Sequence, residues 1–167
     1  MGNNIFLIGF MGVGKSTIAR ILAKELNAKL VEMDETIEAE AGITINEIFE
    51  KYGETHFRDL ESALVARIAG EGSAVVSCGG GAVLREENVA NMKKNGTVIF
   101  LSATPETIYE RVHTSTNRPL LNGNMNVEYI AQLMEKRRAV YEKAADVTIV
   151  TDDKELSDII AEITRHR

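Results

Sequence analysis

Residues Gly9 to Ser16 read GFMGVGKS, which fits G-x-x-x-x-G-K-[ST] between an apolar run, Ile5 to Ile8, and a segment with helical spacing. Glycines let such a turn curl so that successive N–H groups, here those of Gly12, Val13, Gly14, Lys15, Ser16 and Thr17, face phosphate oxygens. Lys15 is the cation for the β- and γ-phosphates, and Ser16 offers a hydroxyl to Mg²⁺. The helix that follows turns its positive end toward the anion. The pattern predicts a nucleoside triphosphate site; a ligand-free glycine turn is the alternative.

Other chemistry-bearing residues recur after predicted strands. In VEMDETIE, Glu32 and Asp34 bracket a strand end, and Asp34 is placed to cap a helix, to face the cleft, or to do both. Glu32 is either a solvated strand-end charge or a carboxylate near the metal. In SCGGGAVL, the triplet Gly79, Gly80 and Gly81 is costly in chain entropy unless a close backbone approach is needed, as for a second ligand. That strand ends without the aspartate that often serves Mg²⁺ in such sites, so EMD is the nearest carboxylate supply. Cys78 reads as a small buried residue.

Three arginines extend the set. Arg58 falls at the margin of an inward stripe of Phe57, Leu60, Leu64 and Ile68, with Glu61 inside that stripe and able to orient it. Arg137 falls in the middle of a stripe of Ile130, Leu133, Met134 and Tyr141, with Arg138 on its flank. A guanidinium there needs a partner, either a structural carboxylate or a bound anion. Arg118 lies in VHTSTNRPLLNGNMN, a polar stretch with the length of a lid, where it is either a surface charge or a group that closes over the phosphate.

The elements that must position these residues alternate. Ile5–Ile8, Ala74–Val76, Val98–Leu101 and Val147–Val150 are apolar on both alternating positions, as strands covered on both faces would be, and KLVEM at 29–33 is a fifth, weaker candidate. Ile18, Ile21, Leu22 and Leu26 form one helical stripe; Leu156, Ile159, Ile160 and Ile163 form another. Pro105 behind Thr104 opens a third helix. This order predicts an α/β layer fold with ligands outside the carboxyl ends of the strands.

Composition bounds the partners. With 167 residues, 44% hydrophobic and 26% charged, the chain has the make-up of one soluble domain. A net charge of −6 argues against nucleic acid or an anionic membrane as the main partner. One cysteine and an N-terminal apolar run too short for a leader or a span lead us to expect a cytoplasmic protein.

Taken in order, GFMGVGKST, EMD, GETHFRDLE, CGGGAV, NRPLL and KRRAVYEKAADVTI resemble the shikimate kinases over essentially the whole chain. The resemblance implies a three-layer α/β/α fold in one domain spanning 1–167, with a five-stranded parallel sheet of order 2-3-1-4-5. A substrate-binding region at roughly 33–61 and a lid at roughly 112–124 go with it. It implies transfer of the γ-phosphate of ATP to a hydroxyl of shikimate, a carboxylated cyclohexene triol, with Mg²⁺ as cofactor. Carried over by motif, Arg58, Gly80 and Arg137 bind shikimate and Asp34 contacts its ring hydroxyls. Lys15 and Arg118 surround the phosphoryl group, Ser16 ligates Mg²⁺, and Arg111 in YERV lies against adenine. The expected form is a monomer.

Two positions depart from the family pattern: Glu32 stands where aspartate is usual, and Ala139 where proline is usual two residues before the tyrosine. The extra methylene moves the charge at position 32, so its place at the metal is open. The rival readings are a related kinase acting on gluconate or a nucleoside monophosphate, and a nucleotide-dependent switch. An acceptor bearing a carboxylate or phosphate is favoured by Arg58 and Arg137 together.

Overall fold

The computed structural model describes residues 3–113 and 126–166. Its element order begins with β1 (Asn4–Ile8), α1 (Lys15–Leu26), β2 (Lys29–Glu32), α2 (Met33–Ala41), α3 (Ile45–Tyr52) and α4 (Glu54–Gly70). It continues through β3 (Ala74–Ser77), α5 (Glu86–Lys94), β4 (Gly96–Ser102), α6 (Pro105–Val112), α7 (Val127–Ala144), β5 (Val147–Val150) and α8 (Leu156–Arg165). The strands form one sheet in the order β2-β3-β1-β4-β5, with every pairing parallel. This is the predicted fold.

A fully covered central strand explains the unbroken apolar run at the start of the chain: all five residues of β1 are buried. On one face Ile5 and Leu7 pack with Ile18, Leu22, Ile99, Ile159 and Ile163. On the other, Phe6 and Ile8 pack with Leu64, Val76, Met92, Val98 and Tyr141. The long helix α7 contributes Ile130 to the first core and Tyr141 and Ala144 to the second, so it joins the two.

Three expectations are corrected. The strand at 147–150 is not covered on both faces: β5 is an edge strand with only Ile149 buried and Val150 49% exposed. On α1 the buried face is Ile18, Ala19, Leu22 and Ala23, with Ile21 and Leu26 only partly covered, because two alanines let the helix sit close on the sheet. Asp34 is not an N-cap; Glu32 occupies that position and α2 starts at Met33. Asp34 sits in the first turn instead, where a negative charge suits the helix dipole. Thr104 caps α6 as expected, accepting from the Thr107 amide with Pro105 in the first turn.

Candidate active site

The glycine-rich turn leaves β1 and enters α1 through two residues that only glycine adopts easily, Gly12 at φ 81° and Gly14 at φ 104°. At Gly12 a side chain would also strike Val112. Gly14 takes the N-cap position and supplies no side chain, so the first-turn amides of α1 are left without a side-chain cap. Arg111 donates to the carbonyl of Val13 at 2.6 Å and to that of Gly12 at 3.3 Å. It therefore ties down the carbonyl side of the loop whose amides would meet phosphate. Lys15 Nζ donates to the carbonyls of Gly9 and Phe10.

On the same edge, the glycine triplet after β3 meets four charged side chains from three helices. A Cβ on Gly79 would stand 2.8 Å from Asp34 Oδ1 and 3.0 Å from Glu61 Oε2. On Gly80 it would stand 3.0 Å from Arg137 Nη1, and on Gly81 it would overlap the Arg58 guanidinium, 2.6 Å from Cζ. None of the three has a positive φ, so space rather than backbone freedom explains them. The backbone passes close to Asp34, Arg58, Glu61 and Arg137 because it carries no side chains there.

Arg58 Nη1 donates to Glu61 Oε1 at 2.9 Å, and its Nη2 lies 3.4 Å from Glu54. Glu61 is 1% exposed, and among the described residues its Oε2 has no hydrogen-bond partner. Burial pushes the Glu61 carboxyl up, against the pull of Arg58. Burial also pushes the Cys78 thiol up, which keeps it protonated and inert.

For Mg²⁺, the donors present are hard oxygens. Ser16 Oγ lies 3.3 Å from Ser77 Oγ, and the Glu32 carboxylate is near enough for Ser16 to favour its charge. Burial works against the Glu32 charge, but Ser16, Glu35 and Arg20, the last at 3.2 Å, hold its carboxyl below the usual range. Among the described residues no cluster of three His, Cys, Asp or Glu could cage a metal. A hydroxyl, a nearby carboxylate and substrate phosphates fit the way Mg²⁺ is usually held.

Of the residues singled out from sequence, Gly12 to Thr17, Glu32, Asp34, Arg58, Gly79 to Gly81, Arg111 and Arg137 lie among the described residues. Arg118 and most of the expected lid lie outside them. Arg138 points away, pairing with Glu135 and Glu142. The sequence reading passed over Ser77 and Arg20. The signal for Ser77 was its place at the strand end where an aspartate was sought.

A family model described as shikimate kinase matches residues 11–166. A shikimate kinase of Thermodesulfovibrio yellowstonii is 42% identical over 165 residues, covering 97% of this chain and 95% of that protein. One from Persephonella marina is 44% identical over 160 residues, 96% of each. The solved structure of shikimate kinase from Acinetobacter baumannii in complex with shikimate is similar with a TM-score of 0.91 at 32% identity, over 99% of this chain and 93% of that one.

Proposed function

The chain belongs to the shikimate kinase family, and from that membership we infer how its residues divide the work of phosphoryl transfer. The reaction is ATP-dependent phosphorylation of a shikimate hydroxyl, giving shikimate 3-phosphate and ADP in the biosynthesis of aromatic compounds. The observation that carries the residue assignment is the glycine triplet, where Asp34, Arg58 and Arg137 each take the space of one absent side chain.

Arg58 and Arg137 bind the carboxylate of shikimate, since guanidinium matches carboxylate with two parallel hydrogen bonds. Glu61 fixes Arg58 in orientation, and amides of Gly79, Gly80 and Gly81 line the acceptor. Asp34 holds the attacking hydroxyl in line with the γ-phosphate. An aspartate is a weak base at neutral pH, so its main work is orientation. Lys15 exchanges its hold on the Gly9 and Phe10 carbonyls for the β- and γ-phosphates.

Ser16, with Glu32 beside it, would hold Mg²⁺, which supplies positive charge to the phosphate oxygens. Arg118 closes over the transferring group from the lid, and closure excludes water that would compete as acceptor. Arg111 serves the nucleotide by fixing the loop and lying against adenine. The working form is one kinase unit spanning residues 1–167, a monomer in the cytoplasm without nucleic acid or membrane partners. Among the described residues, no helix is long and apolar enough to cross a membrane.

The test of the assignment is Asp34→Asn. Loss of most turnover with ATP affinity kept supports it, and near-normal turnover refutes it.

A further inference from the structure

Tyr141 joins two parts of the acceptor site that the triplet and the arginines supply separately. Its Oη donates to the Gly80 carbonyl at 2.6 Å, and a side chain on Gly80 would stand 3.0 Å from Nη1 of Arg137, one helical turn earlier on α7, and 3.7 Å from this Oη, so the three groups share one corner. A carbonyl only accepts, so the phenol proton is forced toward Gly80, which leaves the lone pairs of Oη for the nearby positive charge of Arg137. Burial pushes the phenol up from its ordinary value, which keeps the proton in place.

The ring is 3% exposed and lies 5.2 Å from that of Phe100. One side of it borders a cavity of about 510 Å³ between α7 and the edge strand β5, shared with Phe100, Met134 and Val150. The ring is otherwise enclosed in the core, and the bond from Oη fixes its polar end against Gly80.

We propose that Tyr141 is a positioning residue for the acceptor: through Oη it locks the Gly80 backbone and the Arg137 guanidinium into one relation, so that both meet the acceptor together. This rests on the shikimate kinase reading. Tyr141 touches neither phosphate nor the hydroxyl that reacts; it acts through Gly80 and Arg137.

Tyr141→Phe keeps the ring and removes the link. One hydrogen bond of this kind is worth about a tenfold change in affinity, so the KM for shikimate should rise about tenfold while kcat and the KM for ATP stay within about twofold. The double variant Tyr141→Phe/Arg137→Lys should lose less than the product of the single losses, because both remove the same interaction. Ala144→Gly, a buried change one turn further along α7, is the structural control. It should lower Tm and leave the shikimate KM alone. Gly80→Ala crowds Arg137 and Oη from the other side and should reproduce the selective rise in shikimate KM, which keeps the test open if Tyr141→Phe folds poorly.

An unchanged shikimate KM in Tyr141→Phe, equal rises for both substrates, or fully multiplicative losses in the double variant overturn the proposal. Failure of the wild type to use shikimate overturns the functional reading with it. A working wild type beside an unaffected Tyr141→Phe overturns this inference alone.

Discussion

Gly81→Ala tests the geometry of the acceptor site with a single methyl group. The added carbon would sit 2.6 Å from Arg58 Cζ and 2.7 Å from its Nη2, where ordinary contact begins at 3.4 Å. Gly81 has no positive φ, so backbone strain does not confuse the result. The guanidinium must retreat by about 1 Å, and misplacement on that scale can cost about 100-fold. Arg58 is held by Glu61 at 2.9 Å, a bond to a charged group worth about 1.5–3 kcal/mol. Retreat strains that bond and leaves Glu61, 1% exposed, less compensated. Because burial already pushes the Glu61 carboxyl up, protonation absorbs part of the cost. We expect a stability loss of about 1–2 kcal/mol, or several degrees in Tm. In coupled ADP-release kinetics the shikimate KM should rise about 10- to 100-fold with the ATP KM unchanged. Gly70→Ala, with nothing within 4 Å, is the control; it should gain about 0.5–1 kcal/mol and leave the kinetics alone. A Gly81→Ala enzyme with normal shikimate KM would refute the claim that the triplet makes room for the charged groups.

Glu61→Gln should raise the shikimate KM by loosening Arg58. A carboxyl raised in the folded state contributes most below its ordinary 4.5 and loses that contribution as pH rises through the folded value, so the variant should gain on the wild type in urea melts from pH 4.5 upward. Asp152 accepts from the Thr104 amide at 3.1 Å and from Thr107 Oγ1 at 2.6 Å, and although its partial burial acts the other way, these bonds hold its carboxyl low. Asp152→Asn should therefore cost about 1 kcal/mol at pH 7, a deficit that shrinks as pH falls below 3.8 through the folded value. Chelation with EDTA should stop ADP release and added Mg²⁺ restore it; undiminished release in EDTA would contradict the role given to Ser16.

The nucleotide loop was legible because phosphate binding uses consecutive residues, and eight positions in a row carry the whole signal. The order of the sheet came with the family resemblance, while the runs of β-branched residues located four of the strands. Less legible was what each glycine of the triplet was for. Gly81 and Arg58 are far apart in the chain, and spacing along a helix does not say which distant backbone it meets. Tyr141 read as one more apolar member of a stripe, since its hydrogen-bond partner is 61 positions away. The last strand misled for a related reason: Val150 is as apolar as a core residue yet lies 49% exposed on an edge, and composition does not distinguish the two. The helix start was placed at Asp34, two positions past the observed N-cap Glu32, because helix starts blur by a residue or two.

The most direct test of the account is ADP release from ATP and Mg²⁺ by the purified protein, with shikimate, gluconate, AMP or no acceptor in parallel. The account predicts rapid release that requires shikimate. Release driven by gluconate or AMP, or the same slow release with every acceptor and with none, would contradict it by showing that the two arginines and the glycine triplet serve a different ligand.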